Sequence, residues 1–370
     1  MLFVYGARPE AIKMAPLIRE LDSRRTEFDV KVCLTGQHRE MLDQMDKFFG
    51  LNADFDLDLM EPDQSIHGFI SRCLERLQPI IAKSRPSIVI LQGDTNTVLA
   101  GALAAFYEKV PIAHLEAGLR TGNKYMPFPE EINRRIASHI VDYHFAPTKN
   151  AVDNLRKEGI TENVYLVGNT IVDALYLTLS IINSKGDREY QNFFSFLDFS
   201  KKLILITGHR RESFGEGLSN VCSAVKAVAE THKDVQFIYP VHPNPRVRKL
   251  VYNLLSNINN VFLIEPLDYP NMVWLMSKSY FIITDSGGIQ EEAPALRKPL
   301  LVTRSETERK EVIDEGVGLL AGTDKKVLTY LIEQLLYDNE LYDRMQRPTG
   351  IYGDGTAAKK IASILSELAL

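Results

Sequence analysis

Cysteine is scarce in this 370-residue chain, and its three cysteines, Cys33, Cys73 and Cys222, lie far apart in the sequence. No pair of them has the short spacing that is typical of zinc or redox motifs. Isolated cysteines are typical of proteins from reducing compartments, and cysteine is among the residue types most often buried. We therefore expect three buried thiols in a cytoplasmic protein and no disulfide framework.

Long apolar runs are also missing, and the chain begins directly with the strand-like segment Leu2–Tyr5. A membrane helix needs about 18 or more apolar residues, and a secretory signal begins with a basic stretch followed by an apolar one. The net charge of −5 does not favour nucleic acid or an anionic membrane as the main partner. We expect no membrane insertion and no nucleic-acid binding, and any phosphate site must be a local cluster of positive groups.

Common nucleotide and metal signatures are absent. No G-x-G-x-x-G follows the first strand, and no Gly-Lys-Ser/Thr element of a Walker loop occurs, so NAD binding and ATP hydrolysis are disfavoured. His114 and Glu116 are one residue apart, with His139 and His144 nearby, but no HExxH or clustered Cys/His pattern is present. The sequence predicts no metal site and no cofactor.

Short apolar runs alternate with longer amphipathic segments, which is typical of βαβ units and a parallel sheet. The length of the chain indicates two domains or one large one. The rhythm is lost over residues 181–202 and then resumes, which favours two Rossmann-like domains over one long doubly wound sheet. The predicted strands are Leu2–Tyr5, Val30–Thr35, Ile88–Leu91, Ile112–Leu115, His144–Ala146, Val164–Val167, Leu203–Thr207, Val235–Tyr239, Val261–Ile264, Phe281–Thr284 and Leu300–Val302.

Two predicted strands of the first half end in carboxylates, Asp94 and Glu116, and Glu130 follows a proline-rich loop at a predicted helix start. Helix capping explains any one of these acids. Two buried strands that both end in acids are harder to explain by capping alone. Neighbouring carboxylates in an apolar setting raise each other's pKa, which suits one for the role of base and another for that of acid.

The second half carries groups suited to anions. The turn Gly208–Ser213 places His209 and two arginines before a helix, although basic surface turns are common. Ser286, Gly287 and Gly288 form a second strand-to-helix turn, which exposes backbone N–H groups to a phosphate.

Three further side chains are candidates to reach the same kind of ligand. Glu292 has the position of an acid that accepts ribose hydroxyls, although it also suits a helix N-terminus. Arg309 follows the next strand, where a surface role is the common alternative. In the first half, Arg8 occupies a strand-to-helix turn and Lys13 follows about one helical turn later.

Together these motifs resemble the bacterial non-hydrolysing UDP-N-acetylglucosamine 2-epimerases. The resemblance runs from Gly6 to the loop Tyr352–Gly355, which is nearly the whole chain. Seven ordered motifs carry it: Gly6–Pro16 (GARPEAIKMAP), Gln37–Asp43 (QHREMLD), Gly93–Thr95 (GDT), Glu116–Gly122 (EAGLRTG), Pro129–Glu131 (PEE), Thr207–Ser213 (TGHRRES) and Asp285–Pro294 (DSGGIQEEAP).

The resemblance implies an α/β fold with two Rossmann-like domains facing a cleft, the GT-B architecture. Residues 1–168 would form the N-terminal domain with the acidic residues, and the final helix, 356–370, would pack back on it. Residues 169–355 would form the C-terminal domain, which binds UDP. The activity implied is reversible epimerisation of UDP-N-acetylglucosamine to UDP-N-acetylmannosamine without NAD, by elimination of UDP to a 2-acetamidoglucal and re-addition of UDP. The product would supply N-acetylmannosamine units for cell-surface polysaccharide.

The resemblance also implies residue roles, a homodimer and, in many members, activation by the substrate at a second site. The implied catalytic residues are Asp94, Glu116, Glu130 and His209. The implied substrate-binding residues are Arg8, Lys13, Asp94, Glu116, His209, Ser286, Gly287, Gly288, Glu292 and Arg309. The implied allosteric residues are Gln37, His38 and His242. The chain departs from the usual motifs at Ala7, Gln92 and Lys310, none of which removes a predicted catalytic group.

The chemistry requires these residue types because the C2 proton of a hexose is not next to a carbonyl and is weakly acidic. Departure of UDP builds positive charge at C1, so positive groups and helix N-termini must stabilise the diphosphate while a carboxylate takes the proton. We expect Glu116 and Asp94 to transfer protons, Glu130 to tune or replace one of them, and His209 to stabilise departing UDP.

Three other activities use the same nucleotide half. A GT-B glycosyltransferase passes the sugar to an acceptor and needs no base at C2. A hydrolysing epimerase releases free N-acetylmannosamine and UDP. A non-catalytic sugar-nucleotide sensor binds without isotope exchange, and it has little use for the acids.

Overall fold

A computed structural model describes residues 1–36, 39–61, 63–208 and 215–368 of the chain. Two compact units are present. The first, here the N-terminal unit, comprises Met1–Leu177 and Tyr352–Leu370, and the second, the C-terminal unit, comprises Thr178–Ile351.

The N-terminal unit is built on a seven-stranded parallel sheet with the strand order β3-β2-β1-β4-β5-β6-β7. The strands are β1 (Leu2–Tyr5), β2 (Lys31–Leu34), β3 (Phe55–Asp56), β4 (Val89–Gln92), β5 (Ile112–Leu115), β6 (Tyr143–Ala146) and β7 (Val164–Leu166). The helices are α1 (Arg8–Asp22), α2 (Arg39–Phe49), α3 (Ile66–Ser84), α4 (Asn96–Tyr107), α5 (Glu130–Ile140), α6 (Lys149–Lys157), α7 (Thr170–Lys185, which runs on into the C-terminal unit) and α16 (Ala357–Glu367).

The C-terminal unit has a six-stranded parallel sheet with the strand order β10-β9-β8-β11-β12-β13. The strands are β8 (Lys202–Thr207), β9 (Val235–Pro240), β10 (Val261–Ile264), β11 (Phe281–Thr284), β12 (Leu300–Val302) and β13 (Gly318–Leu320). The helices are α8 (Arg188–Phe193), α9 (Glu216–Thr231), α10 (Pro245–Leu255), α11 (Tyr269–Lys278), α12 (Gly287–Glu292), α13 (Lys310–Asp314), α14 (Lys325–Tyr337) and α15 (Asn339–Met345).

The central strands are mostly apolar, as expected where helices cover both faces of a parallel sheet. Every residue of β1, β4, β5 and β11 is buried. Polar atoms can reach a ligand only where such a strand ends, so the chemistry of each unit is concentrated in the turns that follow these strands.

The predicted strands are all present, and the structure adds β3 and β13. These two are short, at two and three residues, and lie at sheet edges, so neither has the buried apolar run on which a sequence prediction depends. The predicted fold class, α/β with two Rossmann-like domains, is confirmed by the two parallel sheets.

The connection between the units differs from the expected break over residues 181–202. Helix α7 continues to Lys185 and ends before Gly186, whose φ of +80° is a left-handed conformation that favours glycine. The division between the units falls within α7, between Leu177 and Thr178, rather than at residue 168.

The last helix, α16, belongs to the N-terminal unit and contacts α1. The carboxylate of Asp173 accepts hydrogen bonds from the backbone N–H groups of Ala357 and Ala358, at 3.3 and 2.9 Å. This contact satisfies two of the free N–H groups at the start of α16. In the described part of the chain, no helix is long and apolar enough to cross a membrane.

Candidate active site

The order of the strands reverses once in each sheet, and some of the predicted site residues follow the strands at that point. In the N-terminal unit, β1 and β4 are neighbours, and the turns that follow them carry Arg8 and Asp94. In the C-terminal unit, β8 and β11 are neighbours, and Gly208 and Ser286 follow them. Such reversal points are where open α/β sheets bind ligands.

Glu116 follows β5 directly and adopts a left-handed backbone conformation, with φ at +65°. This conformation is uncommon for residues other than glycine and costs of the order of 1 kcal/mol or more. Gln92 Nε2 donates to Glu116 Oε2 at 2.9 Å, and Lys13 Nζ makes a close ion pair with the same oxygen. The side chains of Lys13 and Glu116 are both mostly buried. The carboxylate therefore has a fixed direction and a cation beside it.

Asp94 lies two residues after β4 and is held by helix α5. Arg134 donates to Asp94 Oδ2 through Nε at 2.8 Å and through Nη2 at 2.6 Å. Asn133 Nδ2 donates to the Asp94 carbonyl oxygen at 3.0 Å. The Asp94 side chain remains one-quarter exposed, so it is restrained by the protein but still open to a ligand.

Glu130 is the first residue of α5, and its carboxylate is less well supplied with partners than those of Glu116 and Asp94. Its Oε2 is buried, and within the described residues it has no hydrogen-bond partner. Burial raises the pKa of Glu130, and the nearby charge of Asp94 raises it further. Burial therefore favours the protonated form of this carboxyl group more than that of an exposed glutamate.

Glu10 connects the turns that follow β1 and β4. Its Oε2 accepts the backbone N–H groups of Gly6 and Ala7, both at 2.8 Å, and its Oε1 accepts the Thr95 hydroxyl. Burial raises the pKa of Glu10 to about 7, although these hydrogen bonds oppose the shift. Glu10 thereby fixes the turn that carries Arg8, whose side chain is half-buried.

His114 supports the β4 turn from the neighbouring strand β5. Its Nε2 lies 2.6 Å from the carbonyl oxygen of Gly93, which can only accept, so Nε2 carries the proton. His144 is the partner of His114 in the register of β5 and β6. Burial lowers the pKa of each histidine to about 4, so both are neutral at physiological pH.

In the C-terminal unit, the turn after β11 brings predicted residues together. Ser286 N donates to Thr284 Oγ1 at 2.9 Å, and Gly287 begins α12. The Arg309 guanidinium packs on Gly287 so closely that a Cβ added there would lie 3.1 Å from Arg309 Cζ. Arg309 also donates to Glu291 Oε1 through Nε at 3.0 Å. The glycine turn is thus lined by a positive charge held in place by an acid.

Glu292, the last residue of α12, is buried. It contacts the phenol of Tyr269, whose pKa is raised well above its usual value by burial and by the charge of Glu292. The contact restrains the carboxylate at the end of the same short helix that Gly287 begins.

The remaining predicted residues fall into two groups. His209, Gln37 and His38 lie outside the described residues. His242 lies two residues after β9, where its Nδ1 accepts the backbone N–H of Asn244 at 3.2 Å.

A sequence profile described as "UDP-N-acetylglucosamine 2-epimerase" matches residues 19–366 of the chain. The UDP-N-acetylglucosamine 2-epimerase of Escherichia coli strain K12 is 47% identical over 368 residues, which cover 99% of this chain and 98% of that protein. The enzyme of the same name from Yersinia pestis is 46% identical, with the same coverage of both chains.

This chain belongs to the UDP-N-acetylglucosamine 2-epimerase family.

Solved structures of the family agree with this assignment. The UDP-GlcNAc 2-epimerase of Neisseria meningitidis bound to UDP-GlcNAc has a TM-score of 0.92 at 44% identity, and 99% of each chain is covered. The enzyme of Methanocaldococcus jannaschii in complex with UDP-GlcNAc and UDP has a TM-score of 0.83 at 34% identity, again with 99% of each chain covered. The family predicted from the seven motifs is confirmed, as is the predicted class of enzyme, and the similarities fit the predicted GT-B fold class.

Several residues that organise this epimerase fold at the strand ends are missing from the predicted site. Gln92 was noted only as a departure from the usual motif, and Glu10 only as part of one. Arg134 follows the PEE motif by three residues, and a sequence gives no signal that it reaches Asp94, 40 positions away. His114 would be found only by asking why an apolar strand contains a histidine. The residues in this group are Glu10, Gln92, His114, Asn133 and Arg134.

Proposed function

We propose that this chain interconverts UDP-N-acetylglucosamine and UDP-N-acetylmannosamine by eliminating UDP across C1 and C2 and adding it back with C2 inverted. The observation that carries the proposal is the arrangement of three carboxylates in the N-terminal unit. Glu116 is paired with Lys13, Asp94 is paired with Arg134, and Glu130 has a buried oxygen without a hydrogen-bond partner among the described residues. Proton transfer at both faces of C2 needs carboxylates whose charged neighbours differ, so that one can give a proton while another takes it.

The proposed roles follow from these environments. Glu116 and Asp94 are each held by a cation that fixes the direction of the carboxylate, and they act as the proton-transfer bases. Glu130 has its pKa raised by burial, so it supplies a proton or tunes the neighbouring Asp94. Arg8, on the turn that Glu10 fixes, and Lys13 contribute positive charge to substrate binding.

The C-terminal unit binds UDP in this proposal. The hydroxyl of Ser286, the backbone N–H groups of Gly287 and Gly288 and the guanidinium of Arg309 stabilise the negative charge of the diphosphate. Glu292 accepts the ribose hydroxyls. His209 stabilises UDP as it departs from C1. No cofactor takes part, because the elimination and the addition are both without net oxidation.

Three further statements belong to the same proposal. The protein is cytoplasmic, which fits three free buried cysteines, and its product supplies N-acetylmannosamine units for cell-surface polysaccharide. It forms a homodimer, which would cover the exposed apolar side chains Phe106, Tyr107 and Ile136 of α4 and α5. Gln37, His38 and His242 take part in a second substrate site that activates the enzyme.

Turnover in D2O tests the reaction. Incubation of the enzyme with UDP-N-acetylglucosamine should place deuterium at C2 of both epimers, as read from proton NMR and mass spectra. Epimerised product without deuterium would exclude proton abstraction at C2. Free N-acetylmannosamine would point to hydrolysis, and binding without exchange to a sensor.

A further inference from the structure

Glu131, the second residue of α5, is a fully buried acid that the proposed reaction does not use. Its carboxylate is saturated with donors. Oε2 accepts the backbone N–H of Thr121 at 3.0 Å and Arg134 Nη1 at 3.2 Å. Oε1 accepts the backbone N–H of Gly122 at 3.3 Å and Arg135 Nε at 3.1 Å. A buried acid is retained at little cost only when it is paired and hydrogen-bonded in this way.

Arg134 connects this buried acid to Asp94. Its Nε and Nη2 both donate to Asp94 Oδ2, while its third nitrogen, Nη1, donates to Glu131. Because the guanidinium is planar, an anchor on one side fixes the direction of the nitrogens on the other. Both side-chain hydrogen bonds described for the Asp94 carboxylate go to Oδ2, and neither goes to Oδ1. One oxygen of Asp94 is therefore held and the other is available.

We propose that Glu131 and Arg134 are positioning residues for epimerisation. Glu131 fixes the plane of Arg134, and Arg134 holds Oδ2 of Asp94 so that Oδ1 is the oxygen presented to the proton in transfer. This inference rests on the proposed role of Asp94. Neither Glu131 nor Arg134 needs to touch the substrate.

Glu131 also fixes a second part of the site. The backbone N–H groups of Thr121 and Gly122 begin the segment that returns to Glu130, the neighbour of Glu131 at the start of α5. The same buried carboxylate therefore restrains the approach to Glu130 and, through Arg134, the side chain of Asp94. Proton transfer is sensitive to displacements of this kind, since a misplacement of about 1 Å can cost about 100-fold in rate.

A purely structural ion pair is the competing explanation, and the N-terminal unit contains a matched control. Arg120 donates to Glu158 through two nitrogens, at 2.9 and 2.7 Å. The exposed fractions of these side chains are 7% and 24%, against 7% and 25% for Arg134 and Asp94. Loss of either pair should therefore destabilise the unit by a similar amount. Only loss of the Arg134 contacts should slow the chemistry.

The test compares Arg134→Lys, Glu131→Gln and the double variant with Glu158→Gln as the control. Steady-state kinetics, UDP affinity and the midpoint of thermal unfolding are measured for each full-length enzyme. Arg134→Lys keeps the charge but loses the planar set of N–H donors that contacts both Asp94 and Glu131. The value of kcat should therefore fall about 100-fold while KM and UDP affinity stay within about twofold. Glu131→Gln should lower kcat by roughly tenfold. Glu158→Gln should lower the unfolding midpoint about as much as Arg134→Lys does, but its kcat should equal that of the wild type.

The double variant separates a chain of contacts from independent effects. If Glu131 acts through Arg134, the double variant should be no slower than Arg134→Lys, since residues that act in series are not additive. Additive losses would overturn the proposed order of contacts. Wild-type kcat in both single variants, or a matching loss in Glu158→Gln, would reduce the network to a structural one. If Arg134→Lys does not fold, the isosteric Glu131→Gln, with Arg135→Met as its control, decides the question.

Asp94→Asn distinguishes this inference from the role on which it rests. A fully active Asp94→Asn enzyme would remove Asp94 from the reaction and the positioning proposal with it. An inactive Asp94→Asn enzyme together with unimpaired Arg134→Lys and Glu131→Gln enzymes would leave the role of Asp94 intact and overturn the positioning proposal alone.

Discussion

The strand-end turns of the two units differ in what supplies their chemistry. In the N-terminal unit, side chains supply it: Glu116 is oriented by Lys13 and Gln92, and Asp94 by Arg134. In the C-terminal unit, a glycine turn follows the strand end and begins a helix, and one guanidinium packs directly on Gly287.

The difference reflects what each ligand atom requires. A proton-transfer group must be a side chain with a tuned affinity for protons, so it needs partners of fixed charge around it. A diphosphate requires several donors close to one point, and small residues allow the backbone to provide them. Substitutions in the N-terminal unit should therefore change the rate, and substitutions at the glycine turn should change affinity.

The largest expected effect is that of Glu116→Gln. The amide cannot accept a proton from C2, so kcat should fall by about a thousandfold, while UDP affinity should remain close to that of the wild type. Kinetics and calorimetric titration with UDP measure the two quantities. Near-normal turnover would remove Glu116 from the proton-transfer residues. A parallel loss of UDP affinity would contradict the claim that substitutions in the N-terminal unit change the rate alone.

The second expected effect is a loss of native stability at acidic pH, and it arises from two buried histidines of the N-terminal unit. Burial lowers the pKa of His114 and His144 from 6.5 to about 4, so between these pH values the unfolded chain binds protons that the native chain excludes. Native stability should therefore decrease as pH falls through this window, by up to about 3 kcal/mol for each histidine.

His144→Gln should make this decrease shallower, as measured by urea unfolding at a series of pH values. Glu10 and Asp173 titrate with the opposite sign but are unchanged in the variant, so the difference from wild type isolates the histidine. His139→Gln, an exposed position on α5, is the control. An unchanged slope in His144→Gln would contradict the assignment.

A smaller effect is expected at Arg309. Arg309→Lys keeps the positive charge but loses the planar guanidinium, which packs on Gly287 and donates to Glu291. UDP affinity should therefore fall roughly tenfold with kcat nearly unchanged. Arg304 is the matched control, because it is buried to the same degree and pairs with the same Glu308. Equal losses of affinity in Arg304→Lys and Arg309→Lys would show that the effect is general to the ion-pair network.

The smallest effect separates two adjacent glycines. A Cβ at Gly287 would lie 3.1 Å from Arg309 Cζ, whereas at Gly288 the nearest atoms are 4.0 Å away. Gly287→Ala should lower the free energy of unfolding by about 1 kcal/mol, and Gly288→Ala should change it by less than about 0.5 kcal/mol. Both should weaken UDP binding if the diphosphate approaches this turn. Equal stability of the two variants would contradict the close packing of Arg309 on Gly287.

Much of the fold was predictable because its signals are local. Most predicted strands are largely apolar runs, and such runs form the buried strands of a parallel sheet. Strands β3 and β13 were not predicted because short edge strands bury too few residues to leave an apolar pattern in the sequence. The expected break began at residue 181, inside α7, because polar residues in the last turn hide a helix that ends at Lys185.

The sequence by itself determined the family, the two parallel sheets and the acids that follow β4 and β5, because ordered motifs and strand ends can be read locally. Only the tertiary structure decided which charges meet. Lys13 reaches Glu116 and Arg134 reaches Asp94 because the sheet places β4 between β1 and β5 and brings α5 beside the turn after β4. Buried charges must find partners, and these partners lie 103 and 40 residues away along the chain. No local pattern encodes such a pairing, since it depends on the order in which the strands assemble.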